Sequence, residues 1–273
     1  MNLLKRMYRA MRMELREHKS SFIAYTFFRI SAILVTIYQF INQNYESFFL
    51  GLLTLILLMV PSLLQITLRM EFPTVLEITI LFSIFAAEIL GEINEFYIMI
   101  PWWDTFLHTL NGFLAAAIGF SMVNLLNQSD KLVFSLSPLF SAVVAFCFSM
   151  TIGVVWEIFE FAMDQLFLLD MQKDTVVQTI SSVVLDPEGG NKPFIIREIQ
   201  DVAVSGNCLN LGGYLDIGII DTMHDLIVNF IGALAFSVIG FFYVKRQGNN
   251  QIAHNLIPRR KETEKDYLKT SIE

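Results

Sequence analysis

Long apolar runs dominate this chain and leave it few folds to choose from. About 20 helical residues are needed to cross the roughly 30 Å hydrocarbon layer of a bilayer. Segments 22–41, 48–68, 106–126, 134–156 and 226–244 reach that length with few or no charges, and 74–91 reaches it apart from Glu77 and Glu88. Inside a bilayer no water satisfies the backbone, so each run must be helical and bond its own amides. The reading is an all-α polytopic membrane protein with about six transmembrane helices, in which Pro61 and Pro138 are tolerated as local kinks. Composition agrees: 54% of the 273 residues are hydrophobic and 16% charged, with a mean hydropathy of +0.54, which excludes an ordinary soluble domain.

Basic residues set the expected orientation. Lys5, Arg6, Arg9, Arg12, Arg16 and Lys19 precede the first run, Arg69 follows the second, Lys131 the fourth, and another basic group starts at Lys245. With a cytoplasmic N-terminus all of these fall in cytoplasmic segments, and only Lys173, Lys192 and Arg197 are left for the opposite side. Short basic loops stay in the cytoplasm, so both termini are expected there. Arg29, in the inner half of the first span, can snorkel to the same side.

The chain then divides into a basic cytoplasmic segment 1–20, an integral membrane domain 21–245 that includes an extracytoplasmic loop 170–214, and a polar cytoplasmic tail 246–273. The first segment alternates basic residues with Leu, Met and Tyr, the pattern of a helix lying on an anionic leaflet; a solvated topology signal is the plainer alternative. Run 22–41 is too long for a cleaved secretion signal and has no small-x-small site behind it. Cys147 and Cys208 fall at different depths and form no Cys-x-x-Cys metal pair.

With this topology the acids gather near one face. Glu88, Glu92 and Glu95 stand at i, i+4 and i+7, one face of a helix. Asp104, His108 and Asn111 repeat that spacing behind Pro101 and two tryptophans. Glu157, Glu160 and Asp164 follow at i, i+3 and i+7, and Asp221, His224 and Asp225 share one turn, with Asn229 a turn further on. Spans three to six are therefore expected to direct polar stripes at one cluster near the extracytoplasmic face. Ionisable residues inside a membrane are costly against lipid and point to a functional interior.

Crowded carboxylates must hold protons, bind cations or stay open to water. Carboxylates with imidazole are the ligand set of hard or borderline divalent ions, and acidic stripes on several helices can hold metals inside a bundle. The expected cofactor is thus a divalent metal ion: zinc, magnesium, manganese or iron. Asp104, His108, Asp221, Asp225 and His224 are the candidate ligands, and Glu157 and Glu160 the candidate catalytic acids or bases. Glu88, Glu92, Asn111 and Asn229 are candidates for orienting the ligands or lining an entrance. Glu157 and Asp221 also suit plain helix-end solvation or capping. Gly119, Gly153 and Gly232 are read as points of close helix approach.

Taken in order, WWDTFLH, WEIFEFAMD, GGYLD and DTMHDLIVNFIGAL resemble the YjdF-like bacterial integral membrane proteins. That family repeats an acid and histidine opening one span, a Trp-Glu-x-x-Glu span end, and an Asp-rich opening of the next followed by Asn and Gly. The matching positions are Asp104, His108, Glu157, Glu160, Asp221, Asp225 and Asn229, and the resemblance covers mainly 74–240. It implies a shared polar site in a multi-pass protein of the bacterial cell membrane, and it assigns no reaction. The chain is also loosely similar to the VanZ-like group.

No dinucleotide fingerprint, Walker loop, His-Glu-x-x-His or Gly-x-Ser-x-Gly occurs, and the basic residues form no stripe suited to a nucleic acid. Three classes stay open: a metal-dependent enzyme acting on a phosphoester or amide of a lipid-linked substrate, a cation- or proton-coupled transporter, and a noncatalytic scaffold with a structural metal. Membrane lipids are the expected partners. Depth favours the enzyme, because apart from Glu77 the acids keep to the outer ends, whereas transporter sites usually lie near the midplane.

Overall fold

The computed structural model describes residues 9–10, 13, 19–127, 136–246 and 255–261. Most of the basic segment 1–20 and much of the tail 246–273 lie outside these residues. Among the described residues six helices are long and apolar enough to cross a membrane: Lys19–Ile41, Tyr45–Leu68, Thr74–Ile93, Trp103–Asn127, Pro138–Phe167 and Ile219–Lys245. Every apolar run of the sequence lies largely in one of them.

The chain forms two compact units, Met1–Gly153 with Val228–Glu273, and Val154–Ile227. The first unit is helical. It begins with α1 (Lys19–Ile41) and α2 (Tyr45–Leu57), the latter capped where Asn44 Oδ1 accepts the Ser47 N–H at 3.2 Å. The second span breaks near Leu58 and resumes as α3 (Val60–Leu68), with Pro61 in the first turn, where its missing N–H costs nothing. A short strand β1 (Met70–Glu71) leads into α4 (Thr74–Phe85), which passes into a π-helical stretch, Ala86–Ile93. A short α5 (Phe96–Met99) precedes α6 (Trp103–Asn127). Helices α7 (Pro138–Phe167) and α8 (Ile219–Lys245) contribute their parts up to Gly153 and from Val228.

Apolar packing and small residues hold this unit together. Met70, Phe72, Leu76, Leu114, Phe120 and Phe236 form its largest buried cluster, and Tyr25, Leu58, Leu81 and Ile89 a second. Glycines mark where helices touch. A Cβ on Gly232 would lie 2.0 Å from the Thr109 carbonyl oxygen, one on Gly112 2.5 Å from the Asn229 carbonyl oxygen, and one on Gly119 2.8 Å from Phe148. Glycine at such contacts lets backbones approach where a hydrophobic drive between helices is weak.

The second unit contains the end of α7, the start of α8 and the segment between them. Short antiparallel ladders fill that segment: β2 (Val176–Val177) with β7 (Tyr214–Leu215), β3 (Ile180–Ser182) with β4 (Phe194–Ile196), and β5 (Ala203–Val204) with β6 (Asn207–Cys208). Two- and three-residue strands are marginal by themselves. Carboxylates reinforce them: Asp164 accepts the Met171 and Gln172 amides at 2.7 and 2.9 Å, and Asp216 accepts those of Thr175 and Ile220 at 2.6 and 2.8 Å.

Candidate metal site

The polar site starts from the two ends of the second unit. Helix α7 runs on to Phe167, well past the apolar run that ends at Trp156, so Glu157 and Glu160 stand on a continuing helix one turn apart. Helix α8 begins at Ile219, which puts Asp225 in its second turn. Glu157, Glu160 and Asp225 are 5%, 8% and 2% exposed, and each offers an oxygen within 4.8 Å of the others. Three carboxylates this close and this buried repel one another when all are charged, so the arrangement calls for protons or a cation. It is a buried acidic cluster capable of holding a metal ion.

Neighbouring side chains orient it. The Trp156 indole N–H donates to Glu160 Oε1 at 2.8 Å, and His224 Nδ1 lies 3.5 Å from Asp225 Oδ1. His224 is half exposed. Trp156 escaped the sequence reading, although its i, i+4 spacing to Glu160 in WEIFE was the available signal.

The remaining candidates sit on several elements. Asp221 Oδ2 accepts the Lys173 backbone N–H at 2.7 Å, which ties the start of α8 to the preceding loop. In the helical unit His108 Nε2 lies 3.5 Å from Asp104 Oδ1 across one turn of α6, with both side chains partly buried. Asn111 is exposed on that helix, so sharing a helical face with Asp104 and His108 in sequence does not carry it inside. Asn229 is buried: its Nδ2 lies 3.5 Å from Met150 Sδ, and Gly112 and Gly153 leave the room it occupies. Glu88 is half-buried and Glu92 exposed, both in the π-helical stretch, while Glu95 leaves their face because it takes a left-handed φ of 59° and starts α5. The Trp103 indole N–H donates to the Ala86 carbonyl at 3.3 Å, where the π-helical stretch begins.

Acids and thiol outside the spans behave as loop-builders. Amides of Lys192 and Glu188 donate to Asp186 and hold its carboxyl below the usual range. Asp201 is held low first by the Cys208 thiol, which is pushed up in return, and also by backbone amides such as Asn210. Asp174 is raised by partial burial and by Asp170, Asp216 and Asp164 around it.

Residues 24–246 match the family model described as "Predicted membrane protein (DUF2238)". The chain belongs to this family. It is a multi-pass bacterial membrane protein, as the resemblance to YjdF-like proteins implied. No curated protein and no solved structure gives a significant match. The family span takes in all of the DUF2238 chain's acidic cluster and both orienting side chains, Trp156 and His224.

Proposed function

We propose that this DUF2238 protein is a divalent-metal-dependent enzyme that hydrolyses or transfers a phosphoester or amide group of a membrane-associated, lipid-linked substrate at the extracytoplasmic face. The supporting observation is the convergence of Glu157, Glu160 and Asp225, three buried carboxylates within 4.8 Å. An all-oxygen set suits magnesium or manganese best. In this reading Asp225 and one of the two glutamates hold the ion, and the other glutamate takes the proton from the attacking water. The Trp156 donor fixes the carboxylate plane of Glu160. A divalent ion there supplies Lewis acidity and neutralises charge developing on the scissile group.

Elemental analysis of protein purified without chelator, with turnover of lipid-linked phosphate and amide substrates, tests this. Asp225→Ala should lose metal and activity together. Either Glu157→Gln or Glu160→Gln should keep metal while turnover falls by roughly 10²- to 10⁴-fold, the share typical of a general base. The same assay on His108→Ala asks whether the Asp104–His108 pair serves the reaction. Wild-type protein without metal after metal-replete purification would refute the reading. The outward face of the cluster rests on the distribution of Lys and Arg, with the basic N-terminal segment on an anionic leaflet. Thiol labelling of Ala10→Cys and Gln200→Cys in sealed cells checks it, with only the latter labelled from outside.

A second reading, a cation- or proton-coupled transporter, draws on span three. That span buries Glu77 at 4% exposure and becomes π-helical around Glu88 and Glu92, a distortion frequent at functional sites. Metal-dependent ion flux in proteoliposomes without substrate turnover would favour it.

A further inference from the structure

Independently of the metal reading, the described part of the C-terminal tail returns to the helical unit. Strand β8 (Arg259–Arg260) pairs antiparallel with β1, Met70 opposite Arg260 and Glu71 opposite Arg259. The Lys261 N–H donates to the Arg69 carbonyl at 3.0 Å. Ile257 is 1% exposed and belongs to the same apolar cluster as Met70, Phe72 and Leu76. Pro258 and Lys261 are buried as well, whereas Arg259 and Arg260 are exposed.

The loop under this segment carries a buried polar chain. Phe72 N–H donates to Gln65 Oε1 at 2.9 Å, and Gln65 Nε2 donates to Glu77 Oε1 at 3.0 Å. Both side chains are almost fully buried, and Glu77 is an acid within a span. Such a group is held by its partners and kept from lipid. The covering segment is seven residues long and is held by its two-residue ladder, by the Lys261 N–H on Arg69 and by the burial of Ile257, Pro258 and Lys261, with Ile257 the one side chain wholly within the apolar cluster. A short segment of this kind can open locally without the long helices beneath it coming apart.

We propose that residues 255–261 are a strap, anchored by Ile257, that closes this end of the helical unit over the Gln65–Glu77 pair, and that its release opens the pair to water. A segment that merely staples the bundle would behave differently, because removing its anchor would loosen distant helices too.

The test uses full-length protein in detergent with Cys147→Ala and Cys208→Ser. Met70→Cys reports on the covered loop and Ala32→Cys, fully buried in another cluster, on the bundle. Each is labelled with a water-soluble maleimide, with and without Ile257→Asp. The expected result is at least a tenfold faster reaction at Met70→Cys and no change at Ala32→Cys. Unchanged protection at Met70→Cys overturns the strap. A parallel rise at both positions also overturns it, since the tail would then be a staple. Should the aspartate variant not fold, Ile257→Ala takes its place, with at least a threefold rise confined to Met70→Cys expected and the same two outcomes overturning the proposal.

Discussion

Carboxylates are put to opposite uses in two regions of the second unit. Between the helices, Asp186, Asp201 and Asp216 each accept backbone amides and build turns around themselves. On the helices, Glu157, Glu160 and Asp225 lie against one another with their backbones already satisfied within α7 and α8. An acid beside loop amides has its charge compensated locally and serves structure. Acids buried within 4.8 Å of one another, even with a donor such as the Trp156 indole N–H on Glu160, still repel when all are charged, so such a cluster calls for protons or a cation. Counting acids along the sequence does not separate these cases; what each one faces does.

The sharpest way to break this contrast is to alter one acid from each region. Asp225→Ala should abolish stoichiometric metal, while Asp186→Ala should leave it unchanged and disturb only the turn around Lys192, as read by elemental analysis and amide exchange. Equal loss in both would show that the loop acids belong to the site.

Glycines extend the comparison to backbone packing. Gly232→Ala drives a Cβ to 2.0 Å from the Thr109 carbonyl oxygen, so two helices must separate. Overpacking of this kind costs about 1–3 kcal/mol or more. Gly206 has open space around it and a φ of +83°, so Gly206→Ala costs only the left-handed strain of roughly 1–2 kcal/mol. Thermal unfolding in detergent should rank Gly232→Ala as the more damaging, and a reversed order would mean that the helices yield more readily than the loop.

Acid titration gives a smaller effect. Asp186 has a folded pKa below its unfolded one, so its contribution is present above the unfolded value and lost as pH falls through the folded value. Amide exchange at Lys192, corrected for intrinsic rates, should therefore show a weaker turn at about pH 3 than at about pH 6. A turn equally protected at both would mean that the amides bond the neutral carboxyl as well. The smallest effect is chemical: the Cys208 thiol donates to Asp201, which keeps it protonated, so Asp201→Asn should speed alkylation of Cys208 several-fold at neutral pH.

The spans were legible because hydropathy reports directly on what a bilayer demands. Their ends were less so. Helix α7 continues through Glu157, Glu160 and Asp164 because the hydrogen-bonding pattern persists after the apolar run stops at Trp156. The π-helical stretch around Glu88 carries no compositional mark, since it differs from an α-helix only in which carbonyl each amide reaches. Spacing grouped Glu157 with Glu160 and Asp221 with Asp225, but only tertiary packing brings Glu157 and Glu160 to Asp225 and ties Asp221 to Lys173. Asn111 and Asn229 were indistinguishable by pattern, and packing exposes one and buries the other. The pairing of Met70–Glu71 with Arg259–Arg260 joins segments far apart in the chain, beyond the reach of any local signal.

Asn229 occupies room that Gly112 and Gly153 leave on the facing helices, where a Cβ would come within 2.5 and 2.6 Å of it. The two glycines are nevertheless not equivalent. Alanine at 153 meets the Asn229 side chain and is admitted once something smaller than asparagine stands at 229, whereas alanine at 112 also meets the Asn229 backbone carbonyl, which no replacement at 229 removes, so position 112 has no partner that can change to make room for it.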